Sequence, residues 1–302
     1  MKRPSWLFAL SSLLAGCSSA PELPAGYPPR VDTGIDSEAW ARVPAGKFLA
    51  GQFSHEVLLD HESEIMVTDV TNAQYAAFLN QALAAGEVLL EGRRVVGYYP
   101  GDEFHGGKHE QPINAGNWLL VPMDEPGLRL VFDGSAFAPA AGYENHPMVQ
   151  VTWFGARAYC KFYGWRLPIE LEWEKAARGT DGRPYPWGEG IQPALANYYH
   201  SHDPFEPDPQ RTGDTTPVGF YNGSTYDGFT TRPSASPYGL YDMAGNVWQW
   251  TADVFEGSHY RALRGGSLAD YDYNLRLWTR NSAGPDYHSP SVGFRCARDA
   301  QP

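Results

Sequence analysis

Four short stretches of this chain combine side-chain types and spacings that could do chemistry. Asp270 and Asp272 stand two apart in "RGGSLADYDYNLRLWTR" (264–280). Such carboxylates could hold a hard cation such as calcium or magnesium, or one could act as a base if burial raised its pKa. As solvated loop residues, the commonest state of carboxylates, they would do neither. In "FHGGKHE", His105, His109 and Glu110 have a spacing suited to zinc on a helix, but Gly106 and Gly107 oppose a helix there. "HSHD" (200–203) is another histidine cluster, without a third ligand at a fixed spacing. "RGGS" (264–267) lacks the glycine spacing and the lysine of a phosphate loop.

Sulfur chemistry is bounded by three cysteines: Cys17, Cys160 and Cys296. Lys2 and Arg3 precede an apolar run from Trp6 to Leu14, too short to span a membrane as a mature helix. Leu14-Ala15-Gly16-Cys17 follows, and the whole resembles a bacterial lipoprotein signal. It implies removal of residues 1–16 and lipidation of Cys17, a durable membrane anchor when several chains are attached. The expected location is the bacterial cell envelope, facing the periplasm and held to the outer membrane. With Cys17 consumed, two cysteines in an oxidising compartment most simply form one disulfide. No thiol would then remain for nucleophilic, redox or soft-metal work.

The formal net charge of −12 grows more negative once the basic leader is lost, which argues against nucleic-acid binding and against adhesion to anionic lipid by charge. Glycine (32), proline (25), tyrosine (18) and tryptophan (10) are abundant while charged residues are few, suggesting much irregular chain packed by aromatic rings. That aromatic content argues against disorder.

Residues 17–40 include "SSAPELPAGYPPRVDTGIDS", which reads as a flexible spacer, and a domain is expected over 41–300. Its opening "ARVPAGKFLAGQF" has the alternation of strands. In "TNAQYAAFLNQALAAG", Thr71 and Gln74 are spaced as a capping box, and Tyr75, Phe78, Leu79, Ala82 and Leu83 share one helical face. Thr152 can cap a second helix that stops at Gly164. A third should carry Pro168 in its first turn, with Glu170 and Glu172 near its start and Lys175 and Arg178 near its end. After Gly179 the chain reads as loops, turns and short strands. One α+β domain with low regular secondary structure is the expected class.

Five ordered motifs, "RLPIELEWEKAARG" (166–179), "YPWGEG" (185–190), "YGLYDMAGNVWQWTAD" (238–253), "RGGS" (264–267) and "GFRCA" (293–297), resemble those of the formylglycine-generating enzyme, or sulfatase-modifying factor, superfamily. The resemblance covers roughly 41–298 and implies the family's C-type-lectin-like fold. It also implies the same disulfide between Cys160 and Cys296. In the family's oxidases a reactive cysteine pair shortly after "RGGS" binds copper and activates oxygen. Here Asp270 and Asp272 stand near those positions, and neither can replace a thiolate toward copper(I). No copper is therefore expected.

Other positions carry over in part. Trp248, Ser267, Arg280, His288 and Ser291 match substrate-groove positions, with a changed lining at His288 and Ser291. Asp270, Asp272, Arg280 and His288 are the candidates for any remaining catalysis. Asp242, Gly245, Val247 and Gln249 match one calcium set of the family. Asn197 and Tyr198 match a second, with Asp208 or Asp214 as its carboxylate. Calcium is thus the expected cofactor. The implied function is an envelope-anchored, non-oxidase accessory, maturation or regulatory factor that binds an exported protein or peptide. Altered chemistry in the same groove, like the family's pyoverdine-maturation member, is the alternative, and formylglycine generation on sulfatases ranks below both.

Overall fold

The computed structural model describes residues 26–108, 110–207, 213–255 and 257–300. The leader, Cys17, His109 and Asp208 lie outside the described residues. In chain order, the elements that matter for the site are β1 (Trp40–Val43), β2 (Ser63–Met66), α1 (Asn72–Ala84), β3 (Val88–Glu91), β4 (Arg94–Tyr99), β5 (Gly116–Pro122), α2 (Trp153–Phe162), α3 (Glu170–Arg178), β6 (Trp248–Phe255), β7 (Tyr260–Arg264), β8 (Arg280–Ala283), β9 (Val292–Gly293) and β10 (Ala297–Asp299). They form three small sheets, ordered β1-β2-β10, β3-β4-β5 and β8-β7-β6-β9, with long irregular connections. In the last sheet β6 and β9 run parallel, and the other pairs are antiparallel.

Local chemistry explains the helices. The Thr71 hydroxyl accepts from the Gln74 amide at 3.2 Å while the Gln74 side chain accepts from the Thr71 amide at 2.8 Å, the expected capping box. Thr152 caps α2 through the Gly155 amide at 3.1 Å. α3 differs from expectation at its start. Ile169 is its extended N-cap, so Pro168 precedes the helix instead of sitting in its first turn. Glu172 accepts from the Ile169 amide at 2.9 Å and supplies the cap that isoleucine cannot. The charge order along α3 is as expected, but these charges are buried and serve long-range pairs as well as the helix dipole.

Two apolar clusters form the core. The larger packs α1 and α2 against β4, β5 and β6 through Tyr75, Phe78, Tyr159, Trp250 and Phe294. The smaller gathers Trp173 of α3 with Leu240, Met243, Leu275 and Leu277. Cys160 of α2 and Cys296 are disulfide-bonded in the larger cluster, and both are wholly buried. The described part of the expected spacer does not hang free. Tyr27 donates to the Phe205 carbonyl at 3.0 Å, Thr33 to that of Val218 at 3.0 Å, and Val31 packs on Phe205 and Phe220. A polar composition suggested freedom, but these three contacts tie the segment down.

The disulfide joins residues 136 apart in sequence, and closing so long a loop constrains the unfolded chain strongly. Cys160→Ser should cost about 2–5 kcal/mol, read as a lowered thermal midpoint of the oxidised protein. An unchanged midpoint would show that the bond is not made.

Candidate functional site

The site is built where β6, β7 and β9 meet the loop after "RGGS". Trp248 begins β6 beside β9, its amide donating to the Ser291 carbonyl at 2.8 Å. Gly266 is left-handed, and a Cβ there would stand 2.8 Å from Leu275, so the turn requires glycine. The turn delivers Ser267 to Asp270. One carboxylate oxygen of Asp270 accepts from the Trp248 indole at 2.8 Å and from the Ser267 amide at 3.0 Å and hydroxyl at 2.5 Å. The other accepts from Asn274 at 2.9 Å. Asp270 is thus a structural fastener of the loop.

Asp272 does not join it. Its residue is exposed at the start of a 3-10 turn, Asp272–Leu275, and its carbonyl accepts from the Tyr185 hydroxyl at 3.1 Å. Of the two carboxylates, Asp272 is solvated as a loop residue ordinarily is, whereas Asp270 is turned inward and bonded, so the two do not form a cation-binding pair. Arg280 lies on β8, its Nε 2.7 Å from Glu170 of α3 and its guanidinium over the Phe255 ring at 5.2 Å. Glu170 also takes Arg264 at 3.0 Å, and Arg264 reaches Glu174 at 2.9 Å. His288 Nδ1 faces the Gln150 side-chain oxygen Oε1 at 3.0 Å, and Ser291 contacts Ser289 at 3.0 Å. Trp248, Ser267, Asp270 and Ser291 therefore form one connected group, while Arg280 and His288 are held by other partners. Asn274 and Gln150, which hold Asp270 and His288, carry no motif that sequence reading could use, and Glu170 is legible only as an acidic residue at the start of α3.

The residues expected to bind calcium are engaged by protein. Gln249 Oε1 accepts from the Trp173 indole at 2.7 Å and from Arg295 Nε at 2.8 Å, and its amide nitrogen donates to the Asp242 carbonyl at 2.7 Å. Asp242 accepts from the Gly219 amide at 2.7 Å, and burial pushes its carboxyl up to about 6. Val247 is buried, and Gly245 is left-handed with no room for a Cβ beside the Asn197 carbonyl at 2.4 Å. In the second set, the Asn197 carbonyl accepts from Asn246 at 2.8 Å and that of Tyr198 from Ser201 at 2.9 Å. Asp214 is taken by Arg129 at 2.7 Å and Tyr143 at 2.6 Å. Calcium wants six to eight available oxygens. The Gln249 oxygen and the Asp214 carboxylate do not fit it as arranged, because a guanidinium stands against each.

Near "FHGGKHE", Gly106 is left-handed and no helix forms. Glu110 instead gathers the loop, accepting from the amides of His105 at 2.8 Å and Gly107 at 2.7 Å and contacting His259 Nε2 at 2.7 Å. Asp102 holds the opposite ring nitrogen of His259 at 3.1 Å and Arg261 at 2.6 Å. Burial alone would raise the Glu110 carboxyl, but those amides and the His259 ring outweigh it and bring it down to about 2.

Fold and site together define a mixed α+β domain whose 267–280 loop holds no thiol. The model of the sulfatase-modifying factor enzyme 1-like domain matches residues 29–300, and the chain belongs to that family. It is 32% identical to the formylglycine-generating enzyme of Streptomyces coelicolor over 301 aligned residues, covering 86% of this chain and 88% of that one. It is 41% identical to the inactive C-alpha-formylglycine-generating enzyme 2 of Bos taurus over 162 residues, covering 51% of this chain and 50% of the relative, so it spans about half of that protein's length. Among solved structures it resembles PvdO from Pseudomonas aeruginosa (TM-score 0.54, 21% identity, 86% of this chain and 94% of that one) and CarF (TM-score 0.55, 21% identity, 87% and 98%). At that identity the likeness concerns the fold. The relatives include an enzyme and a protein named as inactive.

Two predictions follow from the geometry. Asp270→Ala strips acceptors from the Trp248 indole and Ser267, and should destabilise by about 1–3 kcal/mol with faster hydrogen exchange over 267–274. Asp272→Ala should stay within about 0.5 kcal/mol of wild type; equal effects in denaturant titrations would refute the distinction. The depressed Glu110 carboxyl contributes stability that is whole above its ordinary 4.5 and is lost as pH falls toward 2. Glu110→Gln should therefore flatten the acid limb of the thermal-midpoint profile, and an unaltered limb would place the acid sensitivity elsewhere.

Proposed function

We propose that this chain is an exported, lipid-anchored member of the family that binds a protein or peptide partner on the face around the 267–280 loop and performs no oxygen chemistry there. One observation carries the reading. The loop that follows Arg264–Ser267 holds no thiol, and its Asp270 is fully occupied with fastening the loop to Trp248. The two cysteines of the domain are bonded to each other in the core, so neither is available to bind copper(I).

What this face offers instead is aromatic surface. Tyr271 and Tyr273 are 57% and 53% exposed and stack at 6.3 Å, with Tyr199 against Tyr271 at 5.1 Å. Tyrosine rings with a polar tip suit protein recognition. Half-exposed Arg280, already oriented by Glu170, adds a donor fork for a partner carboxylate. The Cys17 lipid would hold this surface at the membrane, and outer-membrane attachment facing the periplasm is the arrangement we infer. Among the described residues no helix is long and apolar enough to cross a membrane.

The test uses the full chain in its native envelope. A photo-crosslinking residue at position 271 or 273 should give a discrete adduct that is lost with Arg280→Glu, whereas one at exposed Leu58 on the hairpin Gly46–Ala50/His55–Leu59 should not. Cys17→Ser should move the protein from the membrane to the soluble fraction. Purified protein given copper and cysteine-containing peptides should consume no oxygen. Oxygen-dependent conversion of a peptide cysteine would replace this reading with catalysis, and absence of adducts at both tyrosines would remove the partner face.

A further inference from the structure

We propose that His200, His202 and Glu206 form a binding site for one divalent transition-metal ion of the zinc class. The sequence shows the two histidines in "HSHD" but not the third group, which stands four residues after His202. The loop folds so that a ligand atom from each residue lies within 4.8 Å of the other two. His200 Nδ1 is 3.6 Å from Glu206 Oε1, and His202 Nδ1 is 3.6 Å from Glu206 Oε2. Those separations are too long for hydrogen bonds. Two ligands of one tetrahedral ion with bonds of about 2.0–2.1 Å stand roughly 3.3 Å apart, close to what is found.

A second, independent observation points to a cation. The Glu206 side chain is 3% exposed, and its Oε1 is buried with no hydrogen-bond partner among the described residues. Its Oε2 accepts from the His202 amide at 2.6 Å. A buried carboxylate oxygen without a donor is costly, and an ion shared with His200 would satisfy it. The imidazoles are 41% and 61% exposed, so an ion can reach the site from solvent.

The surroundings hold the ligands in place without taking their nitrogens. Asp203 is buried and works as the loop's scaffold, accepting from Ser201 at 2.8 Å, from the Tyr221 hydroxyl at 2.6 Å and from the Phe205 amide at 2.8 Å. Its carbonyl accepts from the Glu206 amide at 3.0 Å, which sets the carboxylate's starting point. Such outer groups tune metal affinity strongly.

Ligand chemistry selects the ion. Two imidazoles and a carboxylate suit zinc, cobalt(II), nickel or copper(II); calcium and magnesium call for an oxygen shell, and copper(I) for thiolates. Three protein ligands leave a position open, as in exchangeable sites and unlike closed structural ones. The loop adjoins the proposed partner face: the Tyr199 amide donates to the Asp270 carbonyl at 2.9 Å, and the Tyr199 ring meets that of His200 at 4.1 Å. The metal site does not depend on the partner reading.

The test is a titration of the full chain, stripped with chelator, with zinc in competition with a chromophoric chelator and with cobalt(II) followed by its visible d–d bands. One equivalent should bind, calcium and magnesium should not compete, and cobalt should show low-symmetry, four- or five-coordinate bands. His200→Ala/His202→Ala and Glu206→Gln should each weaken zinc binding by about 100-fold or more. The double histidine variant changes two solvent-facing side chains, so an unaltered circular dichroism spectrum is expected alongside the loss. Absence of stoichiometric binding would overturn the proposal. So would affinity and cobalt bands that persist in the histidine variant, since the ion would then sit elsewhere.

Discussion

A buried guanidinium organises this molecule. Arg295 is fully enclosed, and its donors go to Gln249 Oε1 at 2.8 Å and to the carbonyls of Met66, Val67 and Tyr241 at 3.0, 3.1 and 2.8 Å. Asp69 stands 3.3 Å away as its counter-charge. Burial pushes the Asp69 carboxyl upward against the pull of that guanidinium. Taking a charge this deep costs several kcal/mol even after relaxation, and it is tolerated only where geometry satisfies the whole group. The segments that supply the acceptors are therefore fixed relative to one another: the end of β2, the loop before β6, and β6 itself. Gln249 extends the arrangement to α3 through the Trp173 indole at 2.7 Å.

Strand alternation carries this constraint to the surface. Gln249 points into the polar node, so its neighbour Trp248 points to the other face of β6, where its indole reaches Asp270. On the next strands, Arg264 of β7 pairs across to Arg280 of β8, and both guanidiniums are held by Glu170 of α3. The 267–280 loop is thus anchored from beneath by charges that do not depend on what it presents above.

The parts legible in the sequence were those whose partners lie close along the chain or are unique in kind. Thr71 and Gln74 are three apart, and Cys160 and Cys296 had only each other once Cys17 was set aside. Pairings decided by long-range convergence were hidden. Nothing near Asp270 in sequence reveals that Trp248, twenty-two residues earlier, will donate to it. The expected calcium set meets a related obstacle at one of its side chains: Trp173 and Arg295 arrive from distant segments and occupy the Gln249 oxygen. A polar, proline-rich composition likewise does not register a few contacts such as that of Tyr27 with Phe205.

Satisfied valence, more than the presence of acids, separates structural carboxylates from a candidate ligand here. Asp270, Asp203, Asp214 and Glu110 each place both oxygens against named donors, so adding a cation to any of them would break bonds already made. Asp69 lacks hydrogen bonds to its oxygens but faces a guanidinium, which supplies the missing positive charge. Glu206 differs from all of these. One of its oxygens takes an amide, while the other is enclosed beside an imidazole that stands too far away to bond it. An ion between the two groups would use the lone pairs of both. The loop beside the proposed partner face thereby brings borderline nitrogen and oxygen donors together.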